Sequence, residues 1–332
     1  MRPSEPDAND TIRVLPASRR KSAPWWYAVA AVVGIALAGG AGFWLLLQQP
    51  SHRPPVATVS EPVAGAPVFQ IETATEAEIG QHVPTSLTVF RFADNPRILV
   101  LDFASLHEQG KMLNRVAAFV EKAGLPHDRV LTDDELDAAI RAQGDTVETF
   151  YLGHDYAAAV LARFFTLADS ERIALDPQEE KLRALLRQEG WLAADAKAGL
   201  ISLPAVGSDP RVTGSARAAI LRHELSHGEF FSNPDYAEYV RKFWLTELSA
   251  DERDAVRRFL AKENYDAREE ELMYNEMQAY LMFTRDPTFF APEMVGMTQE
   301  RLSAVQARFL SGMPAGWLRN VLASYPGTAP AQ

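Results

Sequence analysis

The stretch Arg222–Glu229, written RHELSHGE, constrains this chain more than any other part of its sequence. It contains the pattern H-E-x-x-H within residues that have a helical pattern. Residues four apart share one face of a helix, so His223 and His227 can direct two imidazoles at one point, with Glu224 about 100° around the axis. Two nitrogen ligands suit a zinc ion, and the adjacent carboxylate can take a proton from the water that zinc activates. The stretch therefore predicts a helix with a hydrolytic zinc site.

Composition excludes several other kinds of site. The 332 residues include no cysteine, which excludes disulfides, cysteine–zinc sites, thiol catalysis and a lipoprotein anchor. Any metal must therefore be held by His, Asp or Glu side chains. The formal net charge of -11 argues against nucleic acid as a partner, because its phosphates would be repelled.

An uncharged stretch near the N-terminus, Trp25–Leu47, is long enough to cross a bilayer as one helix. Aromatic residues lie near both of its ends, as is typical of helices that meet two membrane interfaces. A cleaved signal peptide is the alternative, but residues 43–50 lack the small-x-small site that such a peptide requires. We expect an uncleaved transmembrane helix at 25–47 after a cytoplasmic tail at 1–24.

The charges around this span predict its orientation. Basic residues precede it, which favours a cytoplasmic N-terminus and an exported C-terminal domain, periplasmic if the cell is a Gram-negative bacterium with the span in its inner membrane. Gly34, Ala38 and Gly42 form a small-residue stripe through which two such helices could self-associate. Residues 48–67 are rich in proline, so we expect a semi-stiff linker there.

The remaining sequence predicts a helix-dominated α+β fold, with an upstream α/β region at 68–190, a metal-binding region at 191–325 and a tail at 326–332. Strands are expected at 87–92, 98–103 and 199–204. Pro204 favours an edge position for the third strand, because proline has no N–H to donate. Helices are expected at about 105–123, 133–142, 155–168, 177–189, 235–246, 250–262, 267–284, 298–311 and 315–323, besides the helix with the His pair.

Several helix boundaries carry capping signals. Capping boxes are expected at Thr132, Asp176 and Ser249, each followed three residues later by a glutamate. Ser215 is the expected cap of the helix with the His pair, and Ser232-Asn233-Pro234 is expected to end it.

A catalytic zinc site usually has three protein ligands, so the two histidines need one more. Glu229 lies only two residues after His227 and points to another face of the helix. The run Glu269–Glu271 opens a helix, where the helix dipole favours acidic residues. Glu276 differs from both, because it lies mid-helix among apolar residues, where an unpaired carboxylate is costly to bury. A bound metal ion would compensate the negative charge of that carboxylate.

With these residues the sequence resembles the zincin metallopeptidases, specifically the gluzincin branch. That group combines H-E-x-x-H on one helix with a glutamate on a later helix, often as Asn-Glu-x-x-Ala, which Asn275, Glu276 and Ala279 match. The resemblance covers about residues 197–284. It includes the strand before the metal helix, which in the family lies along an extended peptide substrate.

The resemblance implies a site as well as a fold. By it, His223, His227 and Glu276 would bind one Zn²⁺ per chain, and Glu224 would be the general base and proton shuttle. Some members place an Asp four residues after the ligand Glu to orient a histidine, and this sequence has Tyr280 there, so another group must accept that hydrogen bond.

Members of the family also supply a His or Tyr that stabilises the transition state. The most suggestive candidate for this role is His154, in the segment YLGHDY at 151–156. Other candidates are Tyr236, Tyr239, Tyr265 and Tyr274.

The sequence thus predicts a membrane-anchored zinc metallopeptidase that acts on a peptide or protein substrate. Three alternatives remain open: a zinc hydrolase of a cell-wall amide, an inactive zincin-like binding or scaffold protein, and a structural anchor whose helices assemble through the membrane span. An intact Glu224 argues against the second, because a protein without catalysis does not need that residue. The residues near the metal do not distinguish a peptide from a cell-wall amide.

Overall fold

The computed structural model describes residues 68–325, which fold around one sheet. The predicted tail, span and linker at 1–67 and the tail at 326–332 lie outside these residues. Among the helices at 68–325, none is both long and apolar enough to cross a membrane.

Five strands form the sheet, in the order β1-β2-β3-β5-β4. They are β1 (Ile71–Ala74), β2 (Thr88–Phe92), β3 (Ile98–Phe103), β4 (His154–Ala157) and β5 (Gly199–Pro204). The pairs β1–β2 and β3–β5 are parallel, while β2–β3 and β4–β5 are antiparallel. The sheet contains strands of both predicted regions. Strand β5 belongs to the region at 191–325 and lies between β3 and β4, which belong to the region at 68–190.

Helices make up most of the described fold, as expected. They are α1 (Glu76–Gln81), α2 (Leu106–Val120), α3 (Asp133–Ala142), α4 (Ala158–Glu171), α5 (Pro177–Gln188), α6 (Gly214–Ser232), α7 (Pro234–Lys242), α8 (Ala250–Lys262), α9 (Glu270–Gln278), α10 (Gln299–Gly312) and α11 (Trp317–Ala323). π-Helical turns at Phe243–Glu247 and Ala279–Phe283 extend α7 and α9, and a short 3-10 helix lies at Pro292–Val295. The capping boxes predicted at Thr132, Asp176 and Ser249 are all present.

Side chains of the sheet alternate between two hydrophobic clusters. One face packs Leu99, Leu101 and Leu200 against α2, α4 and α5. The other face packs Val100 and Ile201 against α1 and α6. A third cluster, formed by the helices from α7 onward, surrounds the side of α6 that carries Phe230. Helix α6 therefore lies between the sheet and the C-terminal helices.

The prediction of an edge strand at 199–204 is wrong. Strand β5 pairs on both sides, with β3 and with β4, and it is β4 that ends the sheet. Pro204 is tolerated because it is the last residue of β5 and the pairing with β4 covers only Gly199–Ser202. The missing N–H of proline therefore interrupts no ladder with β4.

Two local predictions also need correction. The helix expected at 155–168 begins later, because His154–Ala157 is strand β4 and α4 begins at Ala158. The cap of α6 is Thr213, whose side chain accepts a hydrogen bond from the backbone N–H of Ala216, and not Ser215. Strand β1 and helix α1 were absent from the sequence-based prediction.

Helix α6 packs closely on the sheet through glycine. A Cβ built on Gly199 of β5 would lie 2.9 Å from the Cα of Gly228, closer than real contacts allow. A Cβ on Gly228 would lie 2.9 Å from a side-chain carbon of Ile98. This close approach fixes the height of α6 above the sheet and with it the height of the neighbouring His227.

Candidate metal centre

Three side chains from two helices meet at one point. Helix α6 contributes His223 and His227, and α9 contributes Glu276. The Nε2 atoms of the two histidines lie 3.1 Å apart. Carboxylate oxygens of Glu276 lie 3.8 Å from Nε2 of His223 and 3.7 Å from Nε2 of His227. A tetrahedral zinc ion with bonds of about 2.0–2.1 Å keeps its ligand atoms about 3.3 Å apart, so these residues fit one.

Hydrogen bonds at the far side of each ring orient the histidines. Nδ1 of His227 donates to Oδ1 of Asn275 over 2.9 Å. Nδ1 of His223 lies 2.8 Å from the hydroxyl of Thr284, which itself donates to the carbonyl of Ala279 and so accepts from the ring. Both Nε2 atoms then carry lone pairs that face each other, an arrangement that a cation between them stabilises.

The protonation of both rings agrees with this arrangement. Burial, and then the charge of His227, lower the pKa of His223 well below its usual value. Burial lowers the pKa of His227 to about 4, although the hydrogen bond to Asn275 opposes this effect. Both imidazoles are therefore neutral at pH 7, which is the form that binds a metal.

Glu276 is a buried carboxylate without a hydrogen-bond partner on either oxygen. It is 0% exposed. Burial raises the pKa of Glu276 well above its usual value, and the charges of Glu121 and Glu224 add to this, while the nearby hydroxyl of Tyr265 partly opposes it. Such a group is costly unless something compensates it. Its two oxygens face the Nε2 atoms of the histidines. A metal ion bound there would compensate the negative charge of the carboxylate.

Glu224 lies one residue after His223, with its carboxylate turned towards the end of the segment that precedes β4. A Cβ at Gly153 would lie only 2.1 Å from its Oε1, so only glycine leaves room for the carboxylate there. Its Oε2 is buried without a hydrogen-bond partner. Burial raises the pKa of Glu224 well above its usual value, and the charges of Asp155 and Glu121 add to it. Such a carboxylate suits proton transfer to and from a reacting group.

Two further acids lie beside the three metal-site residues. Asp155, on β4, has Oδ1 3.7 Å from Nδ1 of His227. Ligand atoms of Asp155, Glu224 and His227 all lie within 4.8 Å of one another, and so do those of Glu121, Asp155 and Glu276. Burial raises the pKa of Glu121 to about 8, although the charge of Lys122 opposes it. Neither Asp155 nor Glu121 was expected at the site from the sequence.

A cleft leads from the surface to His223 and Glu224. Its walls are lined by tyrosines and by charged residues of both signs: Tyr151, Tyr265, Tyr280, Lys122, Arg211, Asp145 and Glu263. Tyr151 and Gly153 come from the upstream region, so that region forms one wall of the cleft. Of the tyrosines weighed from the sequence, Tyr265 lines the cleft, whereas Tyr236, Tyr239 and Tyr274 belong to the C-terminal hydrophobic cluster.

His154 does not lie in this cleft. It is 1% exposed, and its Nδ1 lies 2.9 Å from the hydroxyl of Ser202 and 3.3 Å from Nε2 of Gln109. Neighbouring residues of a strand point to opposite faces, so Asp155 faces α6 while His154 faces α2. Burial lowers the pKa of His154 to about 3, and the charge of Lys122 adds to this. The buried position of His154 outside the cleft does not agree with the role at the transition state that the sequence suggested for it.

The other acids weighed as third ligand lie elsewhere. Glu229 accepts hydrogen bonds from Nδ2 of Asn95 and Nε1 of Trp317. Glu270 accepts from Nε1 of Trp244 and pairs with Arg257. The acceptor for Nδ1 of His223 is the hydroxyl of Thr284, a residue that the sequence did not single out.

No protein-family model, curated protein or solved structure matches this chain. The site is therefore interpreted from its own geometry.

Proposed function

We propose that this protein is a zinc metallopeptidase of the gluzincin type, anchored in the cytoplasmic membrane. The observation that carries the proposal is the meeting of His223, His227 and Glu276, in which both oxygens of a fully buried carboxylate face two imidazole nitrogens. Two neutral histidines and one glutamate are the ligand set of catalytic zinc sites that leave a position for water.

The chemistry divides between the metal and the protein. Zinc, when bound, would polarise the scissile carbonyl and make water nucleophilic at neutral pH. Glu224 accepts the proton that this water loses and delivers it to the leaving amine nitrogen. Asn275 and Thr284 hold the imidazoles with their Nε2 atoms unprotonated, and Gly153 leaves the room in which the carboxylate of Glu224 acts.

A tyrosine of the cleft takes the role of stabilising the oxyanion. Tyr265 is the first candidate, because it lines the cleft and its hydroxyl is close enough to Glu276 to lower the pKa of that group. A phenol donates a hydrogen bond to a developing negative charge. Burial raises the pKa of Tyr265 well above its usual value, with the charge of Glu276 as the next cause, so the phenol keeps its proton at neutral pH.

A peptide is favoured as substrate by the strand next to the cleft. Strand β4 ends the sheet, and Gly153, immediately before it, lines the cleft. An extended peptide can add to such an edge through backbone hydrogen bonds. The substrate would then lie along β4 and the segment before it, in place of the strand at 199–204 that the sequence suggested.

The membrane location rests on the sequence. The uncharged stretch at 25–47 would anchor the protein with its N-terminus in the cytoplasm and the hydrolase domain outside, periplasmic in a Gram-negative bacterium.

Zinc content of the full chain, purified in detergent, tests the metal site. We expect about one zinc per chain, and a loss or strong weakening of binding in Glu276→Ala, because the third ligand is gone. Glu271→Ala is the matched control, since Glu271 is an exposed acid on the same helix. Absence of zinc from the wild type after reconstitution contradicts the proposal.

Hydrolysis of a mixed peptide library by the zinc-loaded chain tests the reaction. We expect cleavage by the wild type and a loss of at least about 1,000-fold in kcat in Glu224→Gln, with zinc content unchanged. Cell-wall fragments are the parallel substrate. If the protein cleaves these fragments but no peptide, the proposed function changes from a peptidase to a cell-wall amidase.

A further inference from the structure

We propose that a second divalent cation, a hard ion of the Ca²⁺ or Mn²⁺ class, binds between the carboxylates of Glu121, Asp155 and Glu276. This site lies beside the zinc site and shares Glu276 with it, so the two ions would be bridged by one carboxylate. The inference goes beyond the hydrolase activity, because the activity proposed above needs one metal only.

The three carboxylates come from three separate elements. Glu121 directly follows α2, Asp155 lies on the edge strand β4, and Glu276 lies on α9. Each offers an oxygen, and these oxygens all lie within 4.8 Å of one another. Glu121 is 4% exposed and Glu276 0% exposed, while the side chain of Asp155 is 13% exposed. The edge strand of the sheet, the C-terminal end of α2 and helix α9 thus hold three acids together at a nearly buried point.

Glu276 supplies a second observation, which the zinc site accounts for only in part. Both of its oxygens are buried and neither has a hydrogen-bond partner. A tetrahedral zinc site takes one atom from each of its three protein ligands, so zinc bound with His223 and His227 would engage one of these oxygens. The other would remain buried, and the nearby hydroxyl of Tyr265 would leave its negative charge uncompensated, which is costly. A second cation on the side of Glu121 and Asp155 compensates that oxygen.

The positive charge nearby is engaged in other contacts. Lys122 is the cation adjacent to this group, and its ammonium lies over the rings of Phe150 and Tyr151, at 4.2 and 4.1 Å from their centroids. It also donates to the carbonyl of Phe150 over 3.4 Å. These contacts hold the ammonium of Lys122 at the wall of the cleft. A cation bound between the three carboxylates would lie closer to their negative charges and compensate them better.

The donor set selects the class of ion. Three carboxylates without nitrogen or sulfur are ligands of hard cations such as Ca²⁺, Mg²⁺ and Mn²⁺. With bonds of about 2.3–2.6 Å, oxygens on opposite sides of a Ca²⁺ ion lie about 4.6–5.2 Å apart, and neighbouring oxygens lie closer. The separations within 4.8 Å agree with this geometry. A carboxylate bridge is also compatible with metals about 3.5–4 Å apart, as in two-metal hydrolytic sites.

Titration of the zinc-loaded full chain with Mn²⁺, followed by electron paramagnetic resonance of unbound Mn²⁺, tests the site. We expect about one Mn²⁺ per chain with zinc retained. In Glu121→Gln we expect at least a ten-fold weaker Mn²⁺ affinity with unchanged zinc content, because Glu121 is a ligand of the second ion alone. Asp134→Asn, at an exposed acid on α3, is the matched control and should bind Mn²⁺ like the wild type.

The outcomes separate this inference from the proposed function. Zinc binding without Mn²⁺ binding by the wild type overturns the second site and leaves the zinc site intact. Equal Mn²⁺ affinity in Glu121→Gln and the wild type also overturns it. Mn²⁺ binding that Glu121→Gln abolishes, in a chain that takes no zinc, supports the second site while the proposed function fails.

Thermal unfolding of the zinc-loaded wild type provides a measurement that needs no variant. Mn²⁺ should raise its Tm in a concentration-dependent way, because an ion that binds only the folded state stabilises it. An unchanged Tm at millimolar Mn²⁺ contradicts the proposal even if Glu121→Gln does not fold.

Discussion

Single residues behind the histidines determine whether these rings can serve as ligands. Asn275 and Thr284 each accept a hydrogen bond from an Nδ1 atom and so leave the Nε2 atoms, without protons, directed at each other. The sequence identified His223, His227 and Glu276 as candidates by their spacing and context. It identified neither partner, since a hydrogen bond between α6 and the end of α9 depends on how the two helices pack.

Replacement of Asn275 by Leu removes the acceptor of His227. We expect zinc affinity to fall about 10–100-fold, because the ring loses the group that fixes its orientation and tautomer. Asn275→Asp keeps an acceptor oxygen at the same place and should retain most of the affinity. Competition with a zinc-binding dye measures both constants, and an unchanged affinity in Asn275→Leu contradicts the role of this residue.

Glu263, on the wall of the cleft, predicts a pH dependence of stability. Burial raises its pKa from the usual 4.5 to about 7, although the charge of Lys262 opposes this. Between these values the folded chain holds a proton that the unfolded chain has lost, so the free energy of unfolding falls as pH rises.

Glu263→Gln should remove this part of the pH dependence. The free energy of unfolding of the variant, relative to that of the wild type, should rise by on the order of 1–2 kcal/mol from about pH 4.5 to about pH 7. This figure allows for the exposed part of the side chain. Urea unfolding at both pH values measures it. Glu271→Gln, at an exposed acid, should follow the wild type, and a constant difference between Glu263→Gln and wild type argues against the raised pKa.

At the scale of elements, α6 and α9 place the candidate ligands. The sequence predicted one helix over 267–284, but the structure ends the α-helical part at Gln278 and continues with a π-helical turn at Ala279–Phe283. That turn brings Tyr280 to the cleft and Thr284 to His223. Both segments have helical periodicity, so the sequence could not distinguish a regular end from a π-helical one.

The N-terminus of α6 offers a direct comparison of the predicted and the observed cap. Thr213→Ala should lower the free energy of unfolding by about 0.5–2 kcal/mol, because it leaves the backbone N–H of Ala216 without its acceptor. Ser215→Ala should change it by no more than a few tenths of a kcal/mol, since an exposed residue in the first turn does not cap the helix. Chemical denaturation of both variants tests this, and a larger effect at Ser215 would restore the sequence-based prediction.

At the scale of the whole molecule, one buried ion pair joins α6 to the sheet. Arg217 of α6 is 1% exposed and donates to both oxygens of Asp102 on β3, at 2.9 Å each. It also donates to the carbonyls of Pro204 and Ile79, which ties the end of β5 and helix α1 to the same point. His82 also contacts Asp102, with its Nδ1 2.7 Å from Oδ2 of that residue.

Asp102→Ala should destabilise the whole fold. We expect a loss of about 3–5 kcal/mol in the free energy of unfolding, because Arg217 would keep a buried charge without its counter-ion. Asp209→Ala removes the partner of the more exposed Arg211 and should cost less than about 1 kcal/mol. Denaturant unfolding compares the two, and similar losses would contradict the importance assigned to the buried pair.

Local sequence signals determined the elements of this protein. The helical spacing of His223 and His227, the apolar surroundings of Glu276 and the capping boxes at Thr132, Asp176 and Ser249 depend on residues a few positions apart, whose interactions the chain fixes by itself. The same signals predicted a helix-dominated α+β fold. The sequence also predicted the uncharged span at 25–47, which lies outside the described residues and stays a prediction.

The tertiary structure decided what is adjacent across elements. Strand order placed β5 inside the sheet and β4 at its edge, and the alternation of β4 turned Asp155 towards His227 and His154 towards Ser202. The meeting of Glu121 with Asp155 and Glu276 likewise joins residues distant in the chain. Such contacts depend on the packing of sheet and helices, a sum of many weak interactions that no short stretch of sequence encodes.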